Sequence, residues 1–131
     1  MRHFVIAFAC MLLLACAHAT RAGDVVVVTL PRPVAAGERI LLEVELGALG
    51  AGEEIVLRTP DGQLIGTASP YGIRPGHAAG TYVVPVPPEV ASRRSVRQQL
   101  SIRVLVERAG AAARPARADE VRSVRAVVPE H

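Results

Sequence analysis

The stretch QLSIRVLVE, residues 99–107, decides the fold of this chain. Nearly every second position in it is apolar, and most positions between are polar or charged. The apolar set is Leu100, Ile102, Val104 and Val106, and the other set is Gln99, Ser101, Arg103 and Glu107. A period of two with one polar face is typical of a β-strand that buries one face against a core. The segment therefore predicts a half-buried strand with Ile102 inside and Arg103 outside.

Six further segments alternate in the same way or carry a run of β-branched residues. Glycine- and proline-rich turns such as Pro60-Asp61-Gly62 separate them, and after residue 19 we find no helical periodicity and no internal repeat. The segments are 25–30, 39–46, 54–59, 63–67, 81–86 and 121–128. About seven short strands at this spacing predict an all-β fold, a single antiparallel β-sandwich of the immunoglobulin-like or fibronectin-like kind. Pro85 lacks a backbone donor, so its strand is expected at a sheet edge or to end early.

Two short resemblances accompany these patterns. Pro75-Gly76 followed by Gly80-Thr81-Tyr82-Val83-Val84 resembles the stretch that leads into a late strand of fibronectin-type domains, which implies a corner hydrogen bond from Tyr82. Residues 25–40, VVVVTLPRPVAAGERI, resemble the start of the SAF-type domain in periplasmic flagellar P-ring chaperones. The rest of the chain lacks the glycine-rich C-terminal pattern of that chaperone family. We therefore carry over no function from it.

Residues 1–19 predict a signal peptide. A basic start at Arg2 precedes the apolar run FVIAFACMLLL over 4–14, and Ala17-His18-Ala19 is a small-x-small cleavage pattern. The apolar run is too short to span a bilayer. Cleavage after Ala19 leaves residues 20–131 as one β-sandwich domain, which is expected to be periplasmic or secreted.

A second processing route starts from the same leader. Leu13-Leu14-Ala15-Cys16 resembles a lipoprotein box, although Leu14 is unusual in its place. Under this alternative Cys16 is acylated and the chain is a lipid-anchored structural envelope lipoprotein, the only case in which we expect membrane attachment. The other cysteine, Cys10, also lies in the leader, so a chain cut after Ala19 contains no disulfide.

Charge is distributed unevenly along the chain, whose formal net charge is +3. All 15 basic residues are arginine, and residues 89–131 hold nine of them against five acids, whereas residues 20–88 hold five against seven. The basic half predicts a solvated face rather than a nucleic-acid site, because no aromatic side chain follows Tyr82 to stack on bases. Residues 109–119, AGAAARPARAD, predict a mobile loop that carries Arg114 and Arg117.

The residue types of catalysis are sparse beyond the leader. Only His77 and the terminal His131 remain among the histidines, so we expect no metal site, no cofactor and no catalytic residue. Glu43 and Glu45 share an outward strand face and are expected to be solvated. Gly47 to Gly52 is glycine-rich but precedes a strand rather than a helix, and it predicts a connection between strands rather than a phosphate loop.

The candidate binding site is the loop 69–77, SPYGIRPGH. It places Tyr71, Arg74 and His77 between turn-forming residues, and tyrosine and arginine are the side chains that anchor protein interfaces. The sequence therefore predicts a small exported accessory module that is not an enzyme. Its expected partner is another envelope protein.

Overall fold

The computed structural model describes residues 20–22, 25–70, 76–94 and 98–130. Within them the chain is all-β with one short helix, and its strands form two antiparallel sheets, an arrangement consistent with a β-sandwich. The predicted leader 1–19, Cys16 and His131 lie outside the described residues. In chain order the elements are β1 (Thr20–Ala22), β2 (Val25–Thr29), β3 (Leu41–Ala48), β4 (Glu54–Arg58), β5 (Leu64–Ala68), β6 (Ala78–Pro85), α1 (Pro88–Arg94), β7 (Gln99–Glu107), β8 (Arg114–Pro115) and β9 (Val121–Val127).

The chain crosses repeatedly between the two sheets. The larger sheet has the order β1-β2-β7-β4-β5, with β8 beside β7, and the smaller sheet has the order β6-β3-β9. The β4–β5 hairpin joins two neighbouring strands of the larger sheet through a tight turn. In that turn Gly62 has φ +94° and the Thr59 N–H donates to the carbonyl of Gln63 at 2.8 Å, as the Pro60-Asp61-Gly62 signal predicts. Apolar residues from both sheets form one core between them.

Strand β7 spans the predicted residues and buries the predicted face. Ile102 is fully buried, and its outward neighbour Arg103 is half-buried. Leu105 departs from the alternation, because it lies on the outer face and is still only 6% exposed. Its register partner on β4 is Val56, and the ion pair between Arg58 and Glu107, at 3.6 Å, reaches diagonally across these two side chains. The outer face of the larger sheet therefore has a small apolar centre of its own.

Other elements begin or end away from the predicted positions. Strand β6 starts three residues earlier than predicted, and β3 covers 41–48 rather than 39–46. Helix α1 was not expected from the sequence. It begins at Pro88, a residue suited to the first helical turn, and among its side chains that the structure describes Val90 and Ala91 are buried. Seven residues are too few to establish a helical period in the sequence.

Strand β6 lies at the edge of the smaller sheet, as its proline predicts. The Val86 N–H donates to the carbonyl of Ile40 at 2.9 Å, which fixes the hydrogen-bonding phase of the β3–β6 ladder. Pairs alternate along an antiparallel ladder, so Val84 bonds to β3 while the backbone of Pro85 faces away from it. The missing donor of Pro85 therefore falls where β3 offers no acceptor.

Two crossover connections share a seven-residue pattern that we did not recognise in the sequence. RPVAAGE, residues 32–38, links β2 to β3, and RPARADE, residues 114–120, precedes β9. In each, the arginine binds the glutamate six residues later through two hydrogen bonds, and the glutamate accepts a backbone N–H from three residues earlier. We call these the first clasp (Arg32–Glu38) and the second clasp (Arg114–Glu120). The expectation of no internal repeat is thus wrong for this short motif.

The predicted mobile loop over 109–119 needs correction at residues 114–116. Residues Arg114–Pro115 form β8 and pair with Val106 and Leu105 of β7. Ala116 is 2% exposed, and its N–H donates to the carbonyl of Val104 at 2.9 Å. Low-complexity composition indicated a solvated segment, but the segment has a strand partner and a buried residue.

Candidate functional site

Three connections meet at one end of the two sheets, which we call the loop end. They are residues 49–53 between β3 and β4, 69–77 between β5 and β6, and 108–120 between β7 and β9. Register pairs place them together, because Ala48 faces Ala78, Leu46 faces Val121 and Glu54 faces Glu107. The described ends of the predicted binding loop, residues 69–70 and 76–77, thus lie beside the second clasp.

The described parts of the binding loop are its two stems. Ser69 donates its hydroxyl to a carboxylate oxygen of Glu54 at 2.5 Å, and Ala68 pairs with Ile55 of β4. At the other stem His77 is exposed immediately before β6. Tyr71 and Arg74, the two predicted anchors, lie outside the described residues. Both stems are therefore attached to sheet strands, one in each sheet.

The second clasp holds a carboxylate inside the loop end. Glu120 is 1% exposed and receives both terminal nitrogens of Arg114 at 2.7 Å, together with the backbone N–H of Arg117 at 2.9 Å. The hydrogen bonds from Arg114 lower the pKa of Glu120 below its ordinary value, although burial acts in the opposite direction. The same contact raises the pKa of Arg114 above its ordinary value. Both groups are charged at neutral pH, so the contact is a true ion pair.

The clasp also joins the other connections. Arg114 reaches Glu53 at 3.4 Å, and Glu53 accepts the N–H of Gly50 at 2.8 Å. The N–H of Gly47 donates to the backbone carbonyl of Glu120 at 2.9 Å. A Cβ at position 47 would lie 1.8 Å from the carbonyl oxygen of Asp119, so only glycine permits this approach. The glycine-rich segment is a corner connection between sheets, as predicted, and it is fixed at both ends.

Sequence reasoning missed Glu120 and the role of Arg114. A single glutamate in an Ala/Arg segment gives no signal of burial by itself. The usable signal was the shared spacing R-P-x-x-A-x-E in two connections. It identifies a motif only when the loops of both copies are compared.

The uneven charge of the sequence is largely neutralised across the smaller sheet. Glu43 on β3 pairs with Arg125 on β9 through Nε at 3.1 Å, and Glu45 lies 4.0 Å from Arg122. Both glutamates point outward, as predicted. Acids of the first half and arginines of the second half thus face each other. At the loop end, the side chain of Arg117 is 65% exposed and pairs with Asp119 at 3.3 Å.

Cavities among the described residues are modest. An apolar cleft of about 160 Å³ opens between β2, β7 and β9 and is lined by Val26, Val104 and Val124. A groove of about 330 Å³ lies at the opposite end, between residues 34–39 and α1. Within the described ranges no three His, Cys, Asp or Glu side chains are grouped so that they would hold a metal ion.

Comparison with known proteins identified no relative of this chain. Searches of protein-family models, of curated proteins and of solved structures found no match to this chain. Among the residues that the structure describes, no helix has the length and apolar character needed to cross a membrane.

Proposed function

We propose that this protein is an exported, non-enzymatic accessory module that engages another envelope protein through its loop end. The observation that carries the proposal is the frame around residues 69–77. One stem is tied to β4 by the Ser69–Glu54 hydrogen bond, and the other enters β6 opposite Ala48. The adjacent connection is fixed by the buried Glu120. A loop held on a rigid base loses less conformational entropy on binding, so more of its contact energy appears as affinity.

Tyr71, Arg74 and His77 are the proposed contact residues. Tyrosine supplies a large amphipathic surface and arginine a planar donor fork, and such side chains dominate interface energetics. His77 is exposed at the edge of the frame. We assign to Arg117, whose side chain is 65% exposed, a smaller contribution to binding than to these three residues.

We also infer that the sandwich is of the immunoglobulin-like kind, with its first, fourth and last strands each in the opposite sheet. In the immunoglobulin order the second and fifth strands are neighbours in one sheet, and the third and sixth are neighbours in the other. Counting from β2, these are the pairs β3–β6 and β4–β7. The first strand, β2, pairs with β7, the fourth, β5, pairs with β4, and the last, β9, pairs with β3, so each of the three lies in the sheet opposite to its usual place.

The alternative function is a lipid-anchored structural lipoprotein acylated at Cys16. Strand β1 begins at Thr20, so only residues 17–19 would separate the lipid from the first strand. Such a tether spans roughly 10 Å and would hold the domain against the membrane surface. Intact-mass analysis separates the two routes: a mature N-terminus at Thr20 supports cleavage after Ala19, and a diacylglycerol adduct lost in Cys16→Ser supports the lipoprotein.

The loop-end proposal is tested by partner capture. The tagged protein is used to isolate its partner from an envelope extract, and the purified partner is then titrated with variants. Tyr71→Ala and Arg74→Ala should each weaken binding by at least about 1 kcal/mol without changing the melting temperature. Arg39→Ala is the matched control, because Arg39 is exposed at the opposite end of the sheets.

The titration also distinguishes residues that hold the bound partner from a residue that only speeds up the encounter with it. Arg117→Ala should act mainly on the association rate, and its effect should disappear at high salt. The proposal fails if both loop variants bind like the wild type, or if Arg39→Ala weakens binding as much as Arg74→Ala does.

A further inference from the structure

The outermost strands of the two sheets differ in how well they are protected against pairing. Strand β1 has three residues, and β5 has five residues with a register shift against β4. Strand β9 carries Arg122 and Arg125. Strand β6 has eight residues, and the segment from residue 78 to residue 88 contains no charged side chain. Short length, bulges, charges and proline are the usual means of blunting an edge. Strand β6 has a proline at its last position, Pro85, but it is long and uncharged, so it is the least protected edge among the described strands.

Among the described residues no strand pairs with the outer edge of β6, which presents an ordered row of backbone groups. The Val86–Ile40 hydrogen bond assigns Val84 and Tyr82 to pairing with β3. The alternate residues, Thr81 and Val83, therefore direct their N–H and C=O groups away from the sheet. Pro85 bounds this row on one side because it has no N–H. On the other side Gly80 has φ +88°, outside the extended conformation of the strand. The usable edge is centred on Thr81 and Val83.

The same short segment exposes apolar surface. Val83 is 58% exposed, and Leu64 on β5 at 49% is the other large apolar side chain exposed to this degree among the described residues. Val83 therefore combines an exposed side chain with a backbone position that no described strand pairs. An added strand would satisfy both at once.

We propose that a second copy of this chain pairs antiparallel with β6, which joins the two smaller sheets into one across a two-fold axis. A self-complementary contact requires that the strand does not repel its own copy, and the absence of charge from residue 78 to residue 88 meets that condition. The register that forms the most hydrogen bonds places Val83 opposite Thr81 of the second copy. The two-fold axis makes two such pairs, and each pair exchanges two hydrogen bonds. Pro85 then faces Ala79 of the second copy, where one of the two possible bonds is lost. The proposal is independent of the loop-end function.

Sedimentation velocity of the protein, expressed from its full sequence and purified, tests the pairing. The wild type should show a monomer–dimer equilibrium over micromolar concentrations. Val83→Lys should weaken the dimer at least tenfold, because the two-fold axis brings two like charges to one small contact. Leu64→Lys is the matched control, since it places the same charge at the other exposed apolar site, and it should leave the equilibrium unchanged.

Amide hydrogen exchange on the wild type locates the contact without any variant. The amides of Thr81 and Val83 should be protected at high protein concentration and should exchange faster on dilution. The amide of Val84, which bonds to β3, should stay protected throughout. A wild type that remains monomeric overturns the proposal. So do a dimer that survives Val83→Lys, an equal effect of Leu64→Lys, and free exchange at Thr81 and Val83 within the dimer, which would indicate another interface.

Discussion

The first and second clasps have the same local sequence pattern and the same hydrogen bonds, but they differ in burial. In both, the arginine side chain is 39% exposed. The side chain of Glu38 is 13% exposed and that of Glu120 only 1%. The pattern R-P-x-x-A-x-E therefore determines the shape of the connection. What packs on the connection determines how much the ion pair contributes to stability.

The surroundings explain the difference. Glu120 lies where three connections converge, and both Glu53 and Gly47 contact its segment. The first clasp closes the β2–β3 connection at the opposite end, beside the groove of about 330 Å³ that separates this connection from α1. Water reaches the first clasp and competes for its hydrogen bonds. The second clasp is mostly shielded from that competition.

Removing the two carboxylates should give the largest contrast. Glu120→Ala should lower the free energy of unfolding by about 2–4 kcal/mol, because it leaves Arg114 and the Arg117 N–H without their buried acceptor. Glu38→Ala is the matched variant, and its loss should be clearly smaller. Chemical denaturation at neutral pH measures both. Equal losses would show that burial does not distinguish the clasps.

Gly47→Ala tests the packing around the second clasp without touching its ion pair. The added methyl group would meet the carbonyl oxygen of Asp119, so β3 and the 108–120 connection must move apart, at about 1–3 kcal/mol. Gly50→Ala is the control, because the added methyl group meets only the flexible carboxylate of Glu53, at 3.1 Å. A melting temperature that falls more for Gly50→Ala than for Gly47→Ala would contradict this account.

The second clasp should also give stability a pH dependence. The folded pKa of Glu120 is lowered, so its charged form stabilises the fold at pH values above the ordinary glutamate pKa of 4.5. That contribution is lost as the pH falls below 4.5 and through the lowered folded pKa. Compared with Glu120→Gln, the wild type should lose its advantage in free energy of unfolding over this acidic range. A constant difference between the two proteins from neutral pH to low pH would be inconsistent with the ion pair.

The smallest effect is expected for the outer face of the smaller sheet. Arg125 is 65% exposed, and its pair with Glu43 lies in water. Arg125→Ala should change the free energy of unfolding by at most about 1 kcal/mol, and salt should reduce the change further. Urea titrations at low and high ionic strength measure it. A loss comparable to that of Glu120→Ala would remove the distinction between exposed and buried pairs.

Prediction from the sequence succeeded where a pattern reports on one strand alone. Alternation over residues 99–107 gave β7 and its buried face, and Pro85 gave an edge strand. Prediction failed for α1, which is too short to show a helical period. It also failed for residues 109–119, because their composition does not indicate that part of the segment pairs with a strand. For the candidate site, the sequence supplied the loop 69–77, and the structure supplied the frame that holds its stems.

The sequence by itself determined which faces of the strands are buried, because side-chain direction alternates along any extended backbone. Only the tertiary structure decided the strand neighbours. It pairs β2 with β7 and β9 with β3, and this brings Glu43 to Arg125 although 82 residues separate them in the chain. It also decided that Glu120 is buried while Glu38, in the same motif, keeps contact with water. Burial depends on segments that are distant in sequence, so no local pattern contains it.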